Sequence, residues 1–518
     1  MRIGIDTSRT AETKTGLGSY ACSLLDALAR IDPVHEYVLH PYTWHCFVDR
    51  YDLAHCPKAP NFRQARWWLP RRWVVRWWRE NRKDKDWLVG GPHDVFFSPF
   101  HAVPPRHLGK LVCVFHDVAF FAHPEFSTDE NRRFCTDQID EAKRRADLIV
   151  TVSEFSRQEI ARYTGIPLAK IRAIHEAADP RYRPLPHARV PARLAAAIGA
   201  EPFVLYVGSV EPRKNLLTLV QSHAELVQKR AVRSRLVIAG GSGWKNSEVF
   251  TAIERLGLQQ HVVCTGFVSD EELVALYNTA ACCVYPTLYE GFGLPVVEAM
   301  ACGCPVITTR VASIPEVGGE AVVYAGEPRD ARALADAIAR VLGDAALRAD
   351  LRARGLAQAA RFTWDATARQ TLAVLEEVVS APGYARHAVV AGADERGIDQ
   401  GWHALERAVD GAFRWIAPEA TLQLTPLAGA PLHLEVGTPI EHGQRLTVRI
   451  GQEPQVSSFE LRAGWQTLTI PGRAWRAKSS TQIVLQTSRG LEARHKGNDP
   501  RDLALMVRRA GFFPPSRP

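Results

Sequence analysis

Two absences from this 518-residue sequence limit where the protein can reside. No apolar run reaches the roughly 18–20 residues that a membrane-spanning helix needs, so we do not expect an integral membrane protein. Residues 1–6 look like a first strand and lack the apolar segment and small-residue cleavage site of a signal peptide. We therefore expect a cytoplasmic protein.

Two further absences concern metals and disulfides. The ten cysteines are scattered, and Cys302 and Cys304 have no second pair at zinc-site spacing. This pattern favours buried free thiols in a reducing compartment. No Asp-x-Asp pair follows a candidate strand to hold a divalent ion between carboxylates. We therefore expect neither a metal nor another cofactor.

What is present is ordinary for a soluble globular protein, with 46% hydrophobic and 23% charged residues. Single cores stop growing at roughly 250–300 residues, so the length predicts two or three domains. The net charge of +8 would suit an anionic membrane, a phosphorylated substrate or a nucleic acid, and it does not choose among them.

The pattern along the chain predicts an α/β protein with an added β module. Apolar strands alternate with helical stretches in residues 1–185 and again in 190–362, which predicts two doubly wound parallel sheets facing a crevice. Strands are expected at 2–6, 94–98, 111–116, 148–152 and 171–175, then at 203–207, 235–239, 262–265, 282–285, 305–308 and 321–324. A helix over 363–381 is expected to return toward the N-terminal domain. Period-two alternation within 400–518 predicts a β-sandwich.

Ligands of doubly wound sheets bind outside the carboxyl ends of strands, so residues just after strands are the informative ones. The strand at 203–207 is followed by Gly208, and Arg213 and Lys214 stand before the next helix. A planar guanidinium and a compact ammonium together suit a leaving diphosphate. A solvated basic helix start is the plain alternative, although cations are unfavourable at that end of a helix.

The strand at 282–285 precedes a second motif, Glu-Gly-Phe-Gly-Leu-Pro at 290–295, with Glu298 one helical turn further on. Gly291 and Gly293 would allow a ligand close to the backbone. The first turn of the helix would offer free amides to an anion. We expect Glu298 to accept hydrogen bonds from ribose hydroxyls and Glu290 to do so for the transferred sugar.

The sequence here resembles the retaining GT-B glycosyltransferases of group 1, or family 4. The resemblance covers roughly residues 1–380 and rests on the E-x7-E pair Glu290 and Glu298. Supporting segments are Gly208 with 213–215, then 240–243, 266–268 and 301–306. It implies two Rossmann-like domains, a nucleotide-sugar donor and retention of anomeric configuration without a metal. The Asn-Gly pair that the family commonly has is altered at 175–179, so that stretch is given no role.

The resemblance also implies roles for residues of the N-terminal domain, where 15–20 is similar to the family's glycine loop over the donor phosphates. Catalytic roles are expected for His116, Arg213, Lys214 and Glu290, donor binding for Gly16, Gly18, Gly208, Gly291, Phe292, Gly293, Leu294 and Glu298, and a place on the acceptor side for Asp117. For the segment from Ser153, a simple helix cap remains open.

Two tryptophan-rich regions remain. In residues 66–79, a helical wheel puts Trp73, Trp77 and Trp78 on one arc and arginines on the other. This pattern suits an anionic membrane or lipid-linked acceptor, a helix packed on its tryptophan face, or single-stranded nucleic acid. We favour the membrane and expect no nucleic-acid partner. The tryptophans of the β module could bind carbohydrate or form its core.

We therefore expect a hexosyltransferase, with mannose or glucose moved from GDP-mannose or UDP-glucose to a glycan or lipid-linked glycan in bacterial surface polysaccharide synthesis. Segment 244–246 resembles members that use mannose donors. The protein would work in the cytoplasm, peripherally on the inner face of the membrane. The alternatives are a nucleotide-sugar epimerase or phosphorylase on the same scaffold, or a non-catalytic carbohydrate-binding protein.

Overall fold

The structure is a computed structural model, which describes most of the chain. The described residues are 1–11, 16–41, 54–65, 93–104, 109–229, 234–241, 247–380, 388–390, 402–408, 411–424, 431–440, 444–451, 456–471, 481–488 and 505–512. Within these ranges, no helix combines the length and apolarity needed to cross a membrane. The expected tryptophan–arginine helix at 66–79 and segment 242–246 lie outside them.

The first α/β half contains a seven-stranded sheet. Its strands are β1 (Arg2–Asp6), β2 (Glu36–His40), β3 (Phe62–Gln64), β4 (Val95–Ser98), β5 (Lys110–Val114), β6 (Leu148–Thr151) and β7 (Ile171–Ala173), and its helices are α1 (Gly16–Ile31), α2 (Ala119–Ala122), α3 (Asp129–Arg145) and α4 (Glu154–Thr164). The strand order is β3-β2-β1-β4-β5-β6-β7, and the pairings around β1 are parallel. The order therefore reverses direction between β1 and β4.

The second α/β half contains a six-stranded parallel sheet. Its strands are β8 (Phe203–Val207), β9 (Arg235–Ala239), β10 (Val262–Gly266), β11 (Cys282–Tyr285), β12 (Val306–Thr308) and β13 (Val323–Tyr324). Its helices are α5 (Ala192–Ile198), α6 (Leu216–Gln228), α7 (Ser247–Arg255), α8 (Asp270–Thr279), α9 (Leu294–Ala301), α10 (Ile314–Gly318), α11 (Ala331–Gly343) and α12 (Ala345–Ala359). The strand order is β10-β9-β8-β11-β12-β13. Every residue of β8 and β11 is buried, which is why both strands read as continuous apolar runs.

A last helix, α13 (Trp364–Ser380), contacts the first half. Arg30 bonds to Asp365 at 2.7 Å, and the Thr367 hydroxyl donates to the His175 carbonyl at 2.7 Å. The predicted α/β class with two Rossmann-like halves is thus confirmed. All five strands expected in the first half are present, and two that were not expected, β2 and β3, complete that sheet.

The C-terminal region is antiparallel and all-β, as predicted. Its strands are β14 (Ala388–Val390), β15 (Trp402–Ala408), β16 (Gly411–Ile416), β17 (Glu419–Leu424), β18 (Leu432–Thr438), β19 (Gln444–Ile450), β20 (Val456–Leu461), β21 (Gly464–Ile470), β22 (Thr481–Thr487) and β23 (Leu505–Phe512). They form one sheet ordered β15-β16-β23-β18-β21, with β14 beside β23, and another ordered β17-β22-β19-β20. Leucines and valines of both sheets share one buried core.

The chain divides into two compact units. Of the described residues, the first unit carries both α/β halves, to Glu376. The second carries the C-terminal sheets. The site described next lies wholly within the first unit.

Candidate active site

Two loops of the second half meet at the point where its strand order reverses. One follows β8 and carries Arg213 and Lys214, and the other follows β11 and carries Glu290. They are joined by backbone bonding, because the Leu288 amide donates to the Arg213 carbonyl at 2.9 Å. Strands β8 and β11 are neighbours in the sheet although they are far apart in the chain. Both predicted motifs therefore reach one side of the sheet, at its topological switch point.

The loop after β8 is held in a single tight turn. Residues Pro212–Lys214 form one 3-10 turn, and Asn215 follows with a left-handed φ of 58°. The Asn215 amide donates to the carbonyls of Pro286 at 3.0 Å and Pro328 at 2.6 Å. Asparagine tolerates this conformation and here bonds the neighbouring loops. The two cations are thus placed by the turn before α6 begins.

Glu290 is the centre of a buried hydrogen-bond network. Its Oε1 accepts from the Lys214 ammonium at 2.6 Å, the Thr287 hydroxyl at 2.8 Å and the Tyr285 hydroxyl at 2.9 Å. Burial alone would raise the pKa of Glu290, but Arg213 and Lys214 outweigh it and lower that pKa to about 2. Glu290 is therefore a carboxylate with its charge held by hydrogen bonds, and it is not poised to act as an acid.

Arg213 connects this network with the first half. Its guanidinium bonds to Asp117 Oδ2 at 3.1 Å and to Glu211 at 3.2 Å, and it lies 3.7 Å from Glu290 Oε2. Burial opposes the charged form, yet the surrounding carboxylates raise the pKa of Arg213 above its ordinary value. The cluster thus places two cations among three carboxylates, between the carboxyl ends of β5, β8 and β11.

His116 stands beside this cluster with its ring held on both sides. Nδ1 lies 3.0 Å from Glu176 Oε1, and Nε2 lies 3.2 Å from the Pro99 carbonyl. The Tyr20 ring meets the imidazole edge to face, with centroids 4.8 Å apart. His116 thus adjoins Asp117, which bonds Arg213, but both ring nitrogens already have partners within the first half.

Gly291 packs directly against the first half. A Cβ there would lie 2.3 Å from the His116 carbonyl oxygen, which no real contact allows. The Gly291 carbonyl accepts from the hydroxyls of Ser153 at 2.6 Å and Ser156 at 3.2 Å. Packing between the halves accounts for this glycine without a ligand. Ser153 does cap α4, as anticipated, and also bonds across to the second half.

The other expected donor-binding residues lie around this centre. Gly293 has a φ of 105° at the start of α9, and a Cβ there would come within 2.8 Å of Ile314. Leu294 begins the helix, whereas the Phe292 ring is buried beside His175. Gly208, with φ 142°, directly follows β8. Gly16 and Gly18 lie in the first turn of α1.

Glu298 lies in the second turn of α9 and differs from Glu290 in its electrostatics. Its carboxyl accepts from the Tyr277 hydroxyl at 3.1 Å. Burial is the main cause that raises its pKa to about 7; the nearby carboxylates of Asp270, Asp179 and Glu176 act in the same direction, and the Tyr277 bond acts against it. The two glutamates of the E-x7-E pair are therefore held in opposite ways, one firmly ionised and one close to half protonated at neutral pH.

Five residues of the network were not anticipated from sequence. They are Ser156, Glu176, Glu211, Tyr285 and Thr287, and all are buried. The rule that residues just after strands line the crevice would have pointed to Glu176, which follows β7. Among the described residues, no cluster of three or more histidine, cysteine or acidic side chains could hold a metal ion.

Two Rossmann-like halves with an Arg–Lys–Glu cluster between their carboxyl edges define a protein of the GT-B fold. Comparison with known families agrees with this. A model described as "Glycosyl transferases group 1" matches residues 195–358, and one described as "Glycosyltransferase Family 4" matches residues 15–182. The chain belongs to the group 1, family 4 glycosyltransferases.

Relatives of the chain include the O-antigen chain mannosyltransferase B of Escherichia coli. It is 33% identical over 392 residues, covering 72% of this chain and 98% of that protein. The serotype-specific mannosyltransferase WbdA of Escherichia coli is 32% identical over 266 residues, covering 50% of this chain and 32% of WbdA, so the match spans about a third of that relative. Among solved structures, Anabaena Alr3699/HepE in complex with UDP-glucose matches with a TM-score of 0.54 and 18% sequence identity. The match covers 73% of this chain and 100% of that one, and it shows a similarity of fold.

Proposed function

We propose that this protein transfers a hexose with retention of configuration from a nucleotide-diphosphate sugar to a glycan or lipid-linked glycan acceptor in bacterial surface polysaccharide synthesis. The observation that carries the proposal is the cluster in which Lys214 bonds Glu290 and Arg213 connects Glu290 with Asp117. It puts two fixed cations where the two halves meet. The names of the mannosyltransferase relatives support the pathway.

Arg213 and Lys214 would bind the donor's diphosphate. In the structure their charge is offset by Asp117, Glu211 and Glu290. These carboxylates hold the cations extended, so little reorganisation is needed when charge develops on the leaving group. The amides at the start of α9 would add donors on the same side. Because these groups supply the positive charge, we propose that no metal takes part.

The transfer step would involve the substrates' own oxygens. The acceptor hydroxyl oxygen forms a bond to the anomeric carbon on the face from which the diphosphate departs. The bond between that carbon and the phosphate oxygen breaks, and its electron pair stays with the diphosphate. The acceptor's proton passes to the leaving phosphate oxygen. Glu290, ionised and bonded by Lys214, would orient hydroxyls of the sugar rather than attack it.

For the donor we propose GDP-mannose first and UDP-glucose second. The choice of mannose follows the names of the mannosyltransferase relatives, and glucose remains because the Anabaena structure of similar fold holds UDP-glucose. Glu298 would accept hydrogen bonds from the ribose of either donor. The α9 loop residues Gly291, Gly293 and Leu294 would lie along the diphosphate.

We further propose that the protein works in the cytoplasm and binds peripherally to the inner face of the membrane. This proposal rests on the tryptophan–arginine segment 66–79, which lies outside the described residues. Tryptophan favours the membrane interface and arginine binds anionic head groups. Such a surface would bring the enzyme to a lipid-linked acceptor.

A donor panel tests the proposal. The wild type is incubated with GDP-mannose, UDP-glucose and other nucleotide sugars, and released nucleoside diphosphate is measured. We expect slow hydrolysis of one donor and faster release when an acceptor glycan is added. Lys214→Ala should lower this release, and Lys229→Ala, which removes an exposed lysine paired with Glu225, is its matched control and should not. Binding without turnover for every donor would favour a carbohydrate-binding protein, and conversion of the nucleotide sugar without release would favour an epimerase.

A further inference from the structure

Glu176 is a buried carboxylate to which the function proposed above assigns no role. It follows β7, stands where the family commonly has a different pair of residues, and is only 4% exposed. Its Oε1 is hydrogen-bonded to His116 Nδ1, at 3.0 Å. A buried carboxylate with one hydrogen-bonded partner is unfavourable unless that partner is positively charged. Its geometry therefore bears on the protonation of His116.

The partner of Nε2, the second ring nitrogen of His116, shows that this nitrogen carries a hydrogen. Nε2 faces the Pro99 carbonyl at 3.2 Å, and a carbonyl oxygen can only accept. Nε2 therefore carries a hydrogen and donates. If Nδ1 also donates to the Glu176 carboxylate, the ring is an imidazolium. Alternatively, the proton between Nδ1 and the carboxylate lies on Glu176. In both arrangements the His116–Glu176 pair shares one proton.

Backbone hydrogen bonds and a ring contact also fix the position of His116. Its backbone amide donates to His101 Nε2 at 2.8 Å, and its carbonyl accepts from the Ser156 hydroxyl at 3.1 Å. Burial lowers the pKa of His101 to about 3, with the charge at His116 adding to the effect, so His101 is neutral and can accept that bond. The Tyr20 ring closes a further side of the imidazole.

We propose that Glu176 is a positioning residue that keeps His116 doubly protonated and restricted to donating hydrogen bonds. His116 then cannot take the acceptor's proton, since neither ring nitrogen has a free lone pair. It can present a positively charged N–H to an oxygen of the substrate by exchanging the longer bond to Pro99. This inference concerns the site of the proposed function, but its main test needs no substrate.

The direct test is the protonation state of the imidazole in the full-length protein. The protein is labelled with ¹⁵N-histidine, and the His116 signals are assigned by their loss in His116→Gln. At neutral pH we expect both ring nitrogens of wild type to show the shifts of protonated nitrogens. In Glu176→Ala one nitrogen should show the shift of an unprotonated one, and Glu176→Asp should restore part of the wild-type signal. Glu159→Gln, which removes a carboxylate paired with Arg162 on the same half, should change nothing.

Kinetics provide the second readout. With whichever donor is hydrolysed, Glu176→Ala should lower kcat by about 10²-fold with little change in donor KM. Glu176→Asp should recover part of this loss. An unprotonated nitrogen on His116 in wild type, or identical spectra for wild type and Glu176→Ala, would overturn the proposal. Absence of turnover on every donor would count against the proposed function and leave the spectroscopic result to decide this one.

Discussion

The Lys214 ammonium lies 2.6 Å from Glu290 Oε1, and both side chains are almost fully buried. They come from loops that follow two different strands, and the pair closes the gap between those loops. Burial lowers the pKa of Lys214, while Glu290 acts in the opposite direction. A pair in this setting affects both catalysis and folding, because the loss of one partner leaves a buried charge uncompensated.

The pair leads to different expectations for two single variants. Arg213→Ala removes a partly exposed guanidinium and should lower turnover on the order of 10²–10³-fold, with a smaller loss of stability than Lys214→Ala because Lys214 still compensates Glu290. Lys214→Ala should lower turnover similarly and also destabilise the protein by about 3–5 kcal/mol, because Glu290 remains charged. Lys214→Met combined with Glu290→Gln should restore stability without restoring turnover. Thermal unfolding measures the stability of these variants, and donor hydrolysis measures their turnover. Near-native turnover of both single variants would contradict the proposal that Arg213 and Lys214 bind the donor's diphosphate.

The raised pKa of Glu298 predicts a pH dependence. Because its pKa is raised from 4.5 to about 7, its contribution to stability is fully present below about 4.5 and is lost as pH rises through about 7. The change is about 3 kcal/mol. Donor binding should change in the opposite sense, since only the carboxylate accepts from two ribose hydroxyls. Donor KM should fall as pH rises through 7 in wild type and stay flat in Glu298→Gln, and equal profiles would contradict the ribose assignment.

Gly291 predicts a steric effect that a matched glycine should not show. Gly291→Ala forces a Cβ to within 2.3 Å of the His116 carbonyl, so the two halves must move apart at this point. We expect a loss of several kcal/mol of stability and a large loss of donor hydrolysis. Gly343→Ala, at the end of α11, meets nothing within 4 Å and should be neutral or slightly stabilising. If both variants behave alike in thermal unfolding, the close approach is not a real constraint.

The tryptophan–arginine segment predicts salt-dependent membrane binding. Each basic residue near an anionic surface contributes about 1 kcal/mol, so Arg71, Arg72, Arg76 and Arg79 could hold the protein there reversibly. We expect binding to anionic liposomes that weakens as salt rises. Replacing all four arginines by Gln should release the protein and leave donor hydrolysis unchanged. No binding of wild type at low salt would contradict the membrane proposal.

The elements that the sequence predicted well are those whose pattern is strong. Strands β8 and β11 are buried along their whole length, so their apolar runs were clear. Strand β3 has only three residues, of which one is buried, and carries almost no such signal. In the C-terminal region, strand β21 begins at Gly464, whose φ is 90°. Short strands and glycine-started strands depend on tertiary pairing that a local pattern does not contain.

The candidate site divides in the same way. Arg213, Lys214 and Glu290 were found because their loops follow strongly predicted strands and carry a recognisable spacing. Glu176 was given no role, since its importance comes from a contact with His116 sixty residues away. Gly291 was expected to make room for a ligand, whereas its space is taken by the His116 carbonyl. Contacts between the two halves are what local sequence cannot supply.

The most direct test of the central claim is the product of transfer itself. The protein is incubated with GDP-mannose, an acceptor glycan and a chelator of divalent metals, and the anomeric configuration of the product is read by ¹H NMR. We predict acceptor-dependent release of nucleoside diphosphate, a new linkage with the donor's anomeric configuration, and full activity in the chelator. The same experiment with UDP-glucose covers the second donor. An inverted linkage, or activity that disappears on chelation and returns with magnesium or manganese, would contradict the account.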